Sequence, residues 1–78
     1  MLEKQIKDLF AAILQVDPSV VNNATAPNNL AAWDSINHLN LIAVFEEKFS
    51  IDIDPADIPL MMENFVKFRS IISRELGN

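Results

Sequence analysis

Leu2, Ile6, Leu9, Phe10 and Ile13 recur at i, i+4, i+7, i+8 and i+11, the apolar stripe of an amphipathic helix. On its wet side Glu3 and Lys7 are spaced for a favourable i,i+4 ion pair. The Asp17-Pro18 step disfavours helical geometry before the proline and predicts an end near Gln15. From there to Trp33 runs a connection with two prolines, four asparagines and no glycine. One short turn is predicted at Pro18–Val21, and Val20, Leu30 and Trp33 are the expected apolar anchors. Connections beyond about 12–15 residues are uncommon in compact domains and tend to be functional or disordered.

A second helix is predicted from Ser35 to Phe49, with Asp34 placed to cap it and to complement its dipole. Asp54-Pro55 opens a short third segment, which Pro59 limits to two turns at most. Asn64 can cap a last helix in which Phe65, Phe68, Ile72 and Leu76 repeat at helical spacing, and Gly77 ends it. Ser50-Ile51-Asp52-Ile53 alternates like a strand but has no partner. The expected fold is all-α, a four-helix bundle with a long first loop and a short third helix, in a single domain over residues 1–78.

At about 100° per residue, Leu41, Ile42, Phe45 and Phe49 share one face of the second helix, the core side. Ile36, Leu39 and Ala43 form a separate stripe flanked by Glu46 and Glu47. A helix buried on one side needs one apolar stripe. The second is either covered by the long loop or a partner-docking surface, and Ser35 lies in the first turn between the two faces.

Charge sharpens this picture. Between Asp34 and Glu63 seven acids face Lys48 alone, a net of −6, while the remainder of the chain carries +1. Such a field disfavours nucleic acid and anionic membrane and favours partners with basic patches. At 78 residues the core is thin, since a chain this short buries roughly 60% of its unfolded surface. Without cysteine there are no disulfides and no thiolate metal sites. Met1-Leu2-Glu3-Lys4 leads into charged residues with no apolar stretch behind, so neither signal peptide nor membrane span is expected and the cytoplasm is the default location.

Trp33-Asp34-Ser35-Ile36, then Leu39, Leu41, Ile42 and Phe45-Glu46-Glu47-Lys48-Phe49, then Ile51-Asp52-Ile53, resembles the acyl carrier protein family over essentially the whole chain. In that family Asp-Ser-Leu or Asp-Ser-Ile opens the second helix and Glu-Glu-x-Phe closes it. The resemblance implies an acyl-carrier type of bundle, no catalytic activity, and covalent 4'-phosphopantetheine on Ser35. A phosphopantetheinyl transferase would place that group there from coenzyme A. Acyl groups would then ride on its thiol as thioesters, for a fatty-acid, polyketide or related pathway. Asp34 takes a supporting part in the transferase's metal-assisted step. Ile36, Leu39, Ala43, Glu46 and Glu47 become the surface for acyl-loading and acyl-processing enzymes, met by a monomer.

The chain departs from the family pattern at several places. Ala32 and Ser50 stand where glycine is common, Asn37 and Asn40 where fatty-acid carriers have acids, and Ala43 is small for a docking position. These departures point to a specialised carrier. An aminoacyl or peptidyl carrier and a helical adaptor without a prosthetic group are the alternatives.

Three other patterns carry less. Ser35 and His38 with Asp34 suggest a hydrolase, but the chain has one histidine, no nucleophile elbow and no loop to form an oxyanion hole. His38 projects toward the core and reads as a packing or pocket-rim residue. Asp52, Asp54 and Glu63 mimic a calcium loop that Ala56, Asp57, Pro55 and Pro59 spoil, so no dedicated metal site is expected. Met61-Met62 reads as core filling beside Phe65, with an adaptable pocket as the alternative.

Overall fold

The computed structural model describes residues 2–77. Four helices follow in order: α1 over Leu2–Leu14, α2 over Ser35–Phe49, α3 over Ile58–Met61 and α4 over Phe65–Glu75. One-turn 3₁₀ segments at Pro18–Val20 and Pro55–Asp57 precede α2 and α3. No strand occurs among the described residues, so the all-α expectation holds. The alternating Ser50–Ile53 segment is irregular, and buries Ile53 alone.

The periodic residues build one core. Ile6, Phe10 and Leu14 of α1, Leu41, Ile42 and Phe45 of α2, and Phe65, Phe68, Ile71 and Ile72 of α4 are all buried. Phe10 and Phe68 are its hubs. Phe10 meets Trp33, Phe65 and Phe68 edge-on with ring centroids 4.9–5.2 Å apart, and Phe68 meets Phe45 at 5.0 Å. Edge-to-face contacts at these distances add modestly to what area burial supplies. Phe49 and Leu76, placed on core faces by periodicity, pack against its margin and are half-buried.

Helix ends follow the chemistry read for them, with two differences. Asp34 and Asn64 each accept a backbone N–H three residues on, from Asn37 and Lys67, and Asp54 accepts one two residues on, from Ala56. The first difference is at the end of α1. It ends at Leu14 because Gln15 turns left-handed (φ 58°), which lets Val16 N–H reach the Ala11 carbonyl at 3.0 Å. The Asp17-Pro18 step lies two residues beyond. The second is on its surface: the ion pair that closes is Lys4–Asp8, at 2.6 Å, and Glu3–Lys7 does not form one among the described residues.

The long connection is ordered by its asparagines. Asn22 Oδ1 accepts Ala24 N–H, Asn29 Oδ1 accepts Ala26 N–H, and Asn29 Nδ2 donates to the Ala24 carbonyl. Thr25 is buried, and its carbonyl receives the Phe65 N–H at 2.7 Å, tying the loop to the start of α4. The anchors are Val21, Thr25 and Trp33, with Leu30 half-buried. Val20 was the expected anchor, but it faces outward. The 3₁₀ turn, capped by Asp17, points Val20 away and leaves its neighbour Val21 facing the core.

Candidate functional site

Ser35 is the first residue of α2 and is exposed. Asp34 before it is extended (φ −104°, ψ −179°) and folds its carboxylate back onto Asn37 N–H at 2.8 Å. That leaves the Ser35 hydroxyl without an intrachain hydrogen bond among the described residues. The Ser35 and Ile36 amides precede the helix's own hydrogen-bond ladder, and the dipole's positive end lies here. An anion held on Ser35 would therefore meet donors and a favourable field. The residues present fit a phosphodiester-linked group at this hydroxyl.

The apolar stripe beside Ser35 is uncovered. Ile36 is 75% exposed and Leu39 61%, and Ala43 is exposed too. The long loop packs against the core and leaves this stripe open. Val44 on α2 and Leu60 on α3 add further exposed apolar surface that periodicity did not single out.

The two acids at the end of the stripe separate in role. Glu47 is exposed. Glu46 turns toward the segment after α2, where its Oε2 accepts Ile53 N–H at 2.9 Å. Sequence placed both on the wet side, but only Glu47 is free there; Glu46 ties down the chain that leads into α3.

Asn37, expected only as a missing acid, also has work in the fold. Its side-chain amide donates to the Ala32 carbonyl at 2.7 Å, closing the loop end onto the first turn of α2. A carboxylate there would face that carbonyl with no proton to give. Asn40 has no comparable task, since its one contact, to Asn37 Oδ1, is long at 3.4 Å.

His38 is 3% exposed and lies in the core, with its ring nitrogens on Trp33 Nε1 at 3.0 Å and the Ile58 carbonyl at 2.8 Å. Burial holds its pKa below the ordinary range, partly offset by the Ile58 hydrogen bond. Both nitrogens being taken, it has none to offer Ser35 as a base. Of the calcium-like acids, Asp54 caps Ala56 N–H, and Asp57, which breaks that pattern, pairs with Arg74. No group of three or more metal-ligating side chains gathers among the described residues.

Met61 is buried completely beside Phe65 and fills the core, whereas Met62 is half-buried. Surface clefts of about 470 and 450 Å³ open among the described residues. The first lies between α1, the loop at Val21–Asn23 and α4, the second between α1 and the end of α2, and neither is lined by a methionine.

No protein-family model matches this chain. The structure is similar to the solution structure of a holo acyl carrier protein from Geobacter metallireducens, with a TM-score of 0.82. The likeness covers 95% of this chain and 84% of that one at 23% sequence identity. The shared feature is the fold: an acyl-carrier type of helical bundle. No helix among the described residues is long and apolar enough to cross a membrane.

Proposed function

We propose that this chain is an acyl carrier whose Ser35 hydroxyl accepts 4'-phosphopantetheine from coenzyme A through a phosphopantetheinyl transferase. The observation that carries the reading is the pairing of two features at one place. An exposed, unpartnered serine opens α2 directly after its Asp34 cap, and an uncovered apolar stripe runs from it through Ile36 and Leu39. The likeness to a holo acyl carrier protein supports it.

When attached, the group supplies a thiol on which acyl chains travel as thioesters. The chain's own contribution is presentation. Ser35 stands on a rigid helix end, so a transferase meets a preformed target. Its oxygen attacks the β-phosphorus of coenzyme A, the bond to the nucleotide diphosphate's bridging oxygen breaks, adenosine 3',5'-bisphosphate leaves, and the hydroxyl proton passes to the transferase. Asp34 holds the first turn by its bond to Asn37 N–H and lends negative charge beside the site, where the transferase's metal acts. Ile36, Leu39 and Ala43 form the apolar docking strip, with Glu47 as its free acid. The neutral Asn37 and Asn40 and the small Ala43 fit a specialised carrier better than a general fatty-acid one.

The test is an intact mass after incubation with coenzyme A and a broad-specificity transferase. One phosphopantetheine should be added to the parent and none to Ser35→Ala, which should fold normally at a cost of no more than about 1 kcal/mol. Addition at Ser19, Ser50, Ser70 or Ser73 instead, or none at all, overturns the assignment.

A further inference from the structure

Among the described residues Thr25 and His38 are the buried hydrophilic ones. Thr25 serves its own loop, where Oγ1 accepts Asn22 N–H and donates to the Val20 carbonyl. His38 instead joins two separate segments. The indole nitrogen of Trp33 can only donate, so His38 Nδ1 is the acceptor in their 3.0 Å bond. The proton therefore sits on Nε2, which donates to the Ile58 carbonyl at 2.8 Å. Geometry alone sets this neutral tautomer.

Both ends of the relay matter to the Ser35 surroundings. Trp33 immediately precedes the Asp34 cap, and Ile58 is the first residue of α3. The N–H after α3, on Met62, goes to the Pro59 and Leu60 carbonyls. The Ile58 carbonyl, in the first turn of α3, receives the His38 Nε2–H from outside its own helix. No other hydrogen bond among the described residues joins the Trp33–Ser35 segment or α2 to α3.

The acids next in sequence to the two partners of His38 are engaged elsewhere. Asp34, one turn earlier on its own helix, is taken by Asn37 N–H. Asp57, beside Ile58, is paired with Arg74 from α4. Phe68 of α4 gives the imidazole only an aromatic edge, with centroids 6.3 Å apart. No carboxylate forms an ion pair with the ring among the described residues.

We propose that His38 is a positioning residue for the attachment end of α2: the relay from Trp33 through His38 to Ile58 sets Ser35 and its cap relative to α3, so that a transferase meets both already in place. The role rests on the Ser35 reading above. Removing the imidazole leaves the buried indole N–H unpaired and takes the donor from the half-buried Ile58 carbonyl, and removing the indole breaks the first link, so either change loosens one segment against the other. The transferase must then order them on binding, so the loss falls on KM rather than on the chemical step. A proton added at Nδ1 has the same effect, setting donor against donor at Trp33.

Trp33 is the only tryptophan, so its indole N–H gives a single resonance in a nitrogen–proton correlation spectrum. That resonance is followed against pH together with the His38 ring carbons. In parallel, transferase kinetics with coenzyme A are measured for the parent, His38→Leu and Trp33→Phe, with circular dichroism as the folding check. The indole resonance should titrate with the same midpoint as the His38 ring. Both variants should raise KM for the carrier about tenfold with kcat changed less than about twofold. An indole resonance that stays flat while His38 titrates overturns the role, as does unchanged KM in the variants. If His38→Leu does not fold, Trp33→Phe and the pH titration decide. A parent that takes up no phosphopantetheine overturns the Ser35 reading and this role with it. A modified parent with variants of unchanged KM overturns this role alone.

Discussion

Glu46 reaches past the end of α2 to accept the N–H of Ile53, seven residues on, at 2.9 Å. Ile53 is buried, and the bond fixes the irregular segment that carries it toward α3. The acid therefore belongs to the fold as well as to the surface, and it differs in this from its neighbour Glu47.

The two acids are predicted to respond differently to reversal. Glu46→Lys should lose the bond to Ile53 and destabilise the chain by about 1 kcal/mol, the lower range for a charged acceptor that is only half-buried. Glu47→Lys should leave stability unchanged and weaken transferase binding, an effect that added salt also produces in the parent. Urea unfolding of both variants, with binding measured at low and high salt, checks this. Equal stability loss in the two, or binding indifferent to Glu47 and to salt, contradicts it.

Ser50 ends α2 in the left-handed conformation, with φ 55° and ψ 48°. Its N–H bonds the Glu46 carbonyl, and Ile51 N–H bonds the same oxygen at 3.1 Å. A side chain makes that conformation costly by roughly 1–2 kcal/mol, while glycine adopts it freely but gains entropy when unfolded. Ser50→Gly should therefore stabilise the chain by about 0.5–1 kcal/mol, raising Tm by several degrees. Thermal unfolding followed by circular dichroism decides it, and a lowered Tm would show that the Ser50 side chain contributes something the backbone does not reveal.

Much of this could be read along the chain. Helical periodicity places Phe10, Leu41, Phe45 and Phe68 inward because they repeat every three or four residues, and Asp34, Asp54 and Asn64 cap as their chemistry requires. Ser35 and the Ile36–Leu39 stripe follow from the same count. Periodicity fails where the backbone is irregular. Val20 and Val21 differ only by the turn that presents them, and Gln15 and Ser50 turn left-handed without the glycine that would signal it. The partners of Glu46, Asn37 and His38 are set by where segments meet in space. Trp33 and His38 are five apart, a spacing that suggests no contact on one helix; the extended Asp34 between them folds the indole back.

His38 also makes stability depend on pH. Its folded-state pKa lies below the ordinary value of about 6.5, because burial disfavours the charged ring. The unfolded chain thus binds a proton more readily. The histidine's contribution is complete above about pH 6.5 and is lost as pH falls from there through the folded pKa. Urea unfolding near pH 7.5 and near 5.5, where most carboxylates stay ionised, should show the parent weaker at the lower pH. His38→Gln should be less stable overall but lose this particular dependence. A parent equally stable at both values would mean that the folded ring accepts its proton without penalty.

The last prediction concerns which enzymes use the carrier. Asn40 and Ala43 lie exposed on α2, and neither has a partner that replacement would break, the 3.4 Å contact from Asn40 to Asn37 being weak. Asn37 is different, since an acid there would give up the bond to the Ala32 carbonyl and confuse docking with loop stability. The clean gain-of-function variant is therefore Asn40→Glu with Ala43→Met, leaving Asn37 in place. The added charge should speed encounter with a basic partner, and the larger side chain should fill more of an apolar docking pocket. General fatty-acid enzymes should load malonyl groups onto the holo parent slowly and onto the double variant several-fold faster. Its Tm should match the parent's. Rates are compared for the holo parent, the holo double variant and a standard fatty-acid carrier under the same transferase. If the parent is loaded and elongated as fast as the standard carrier, its neutral helix is no mark of specialisation, and the distinction drawn from Asn40 and Ala43 falls.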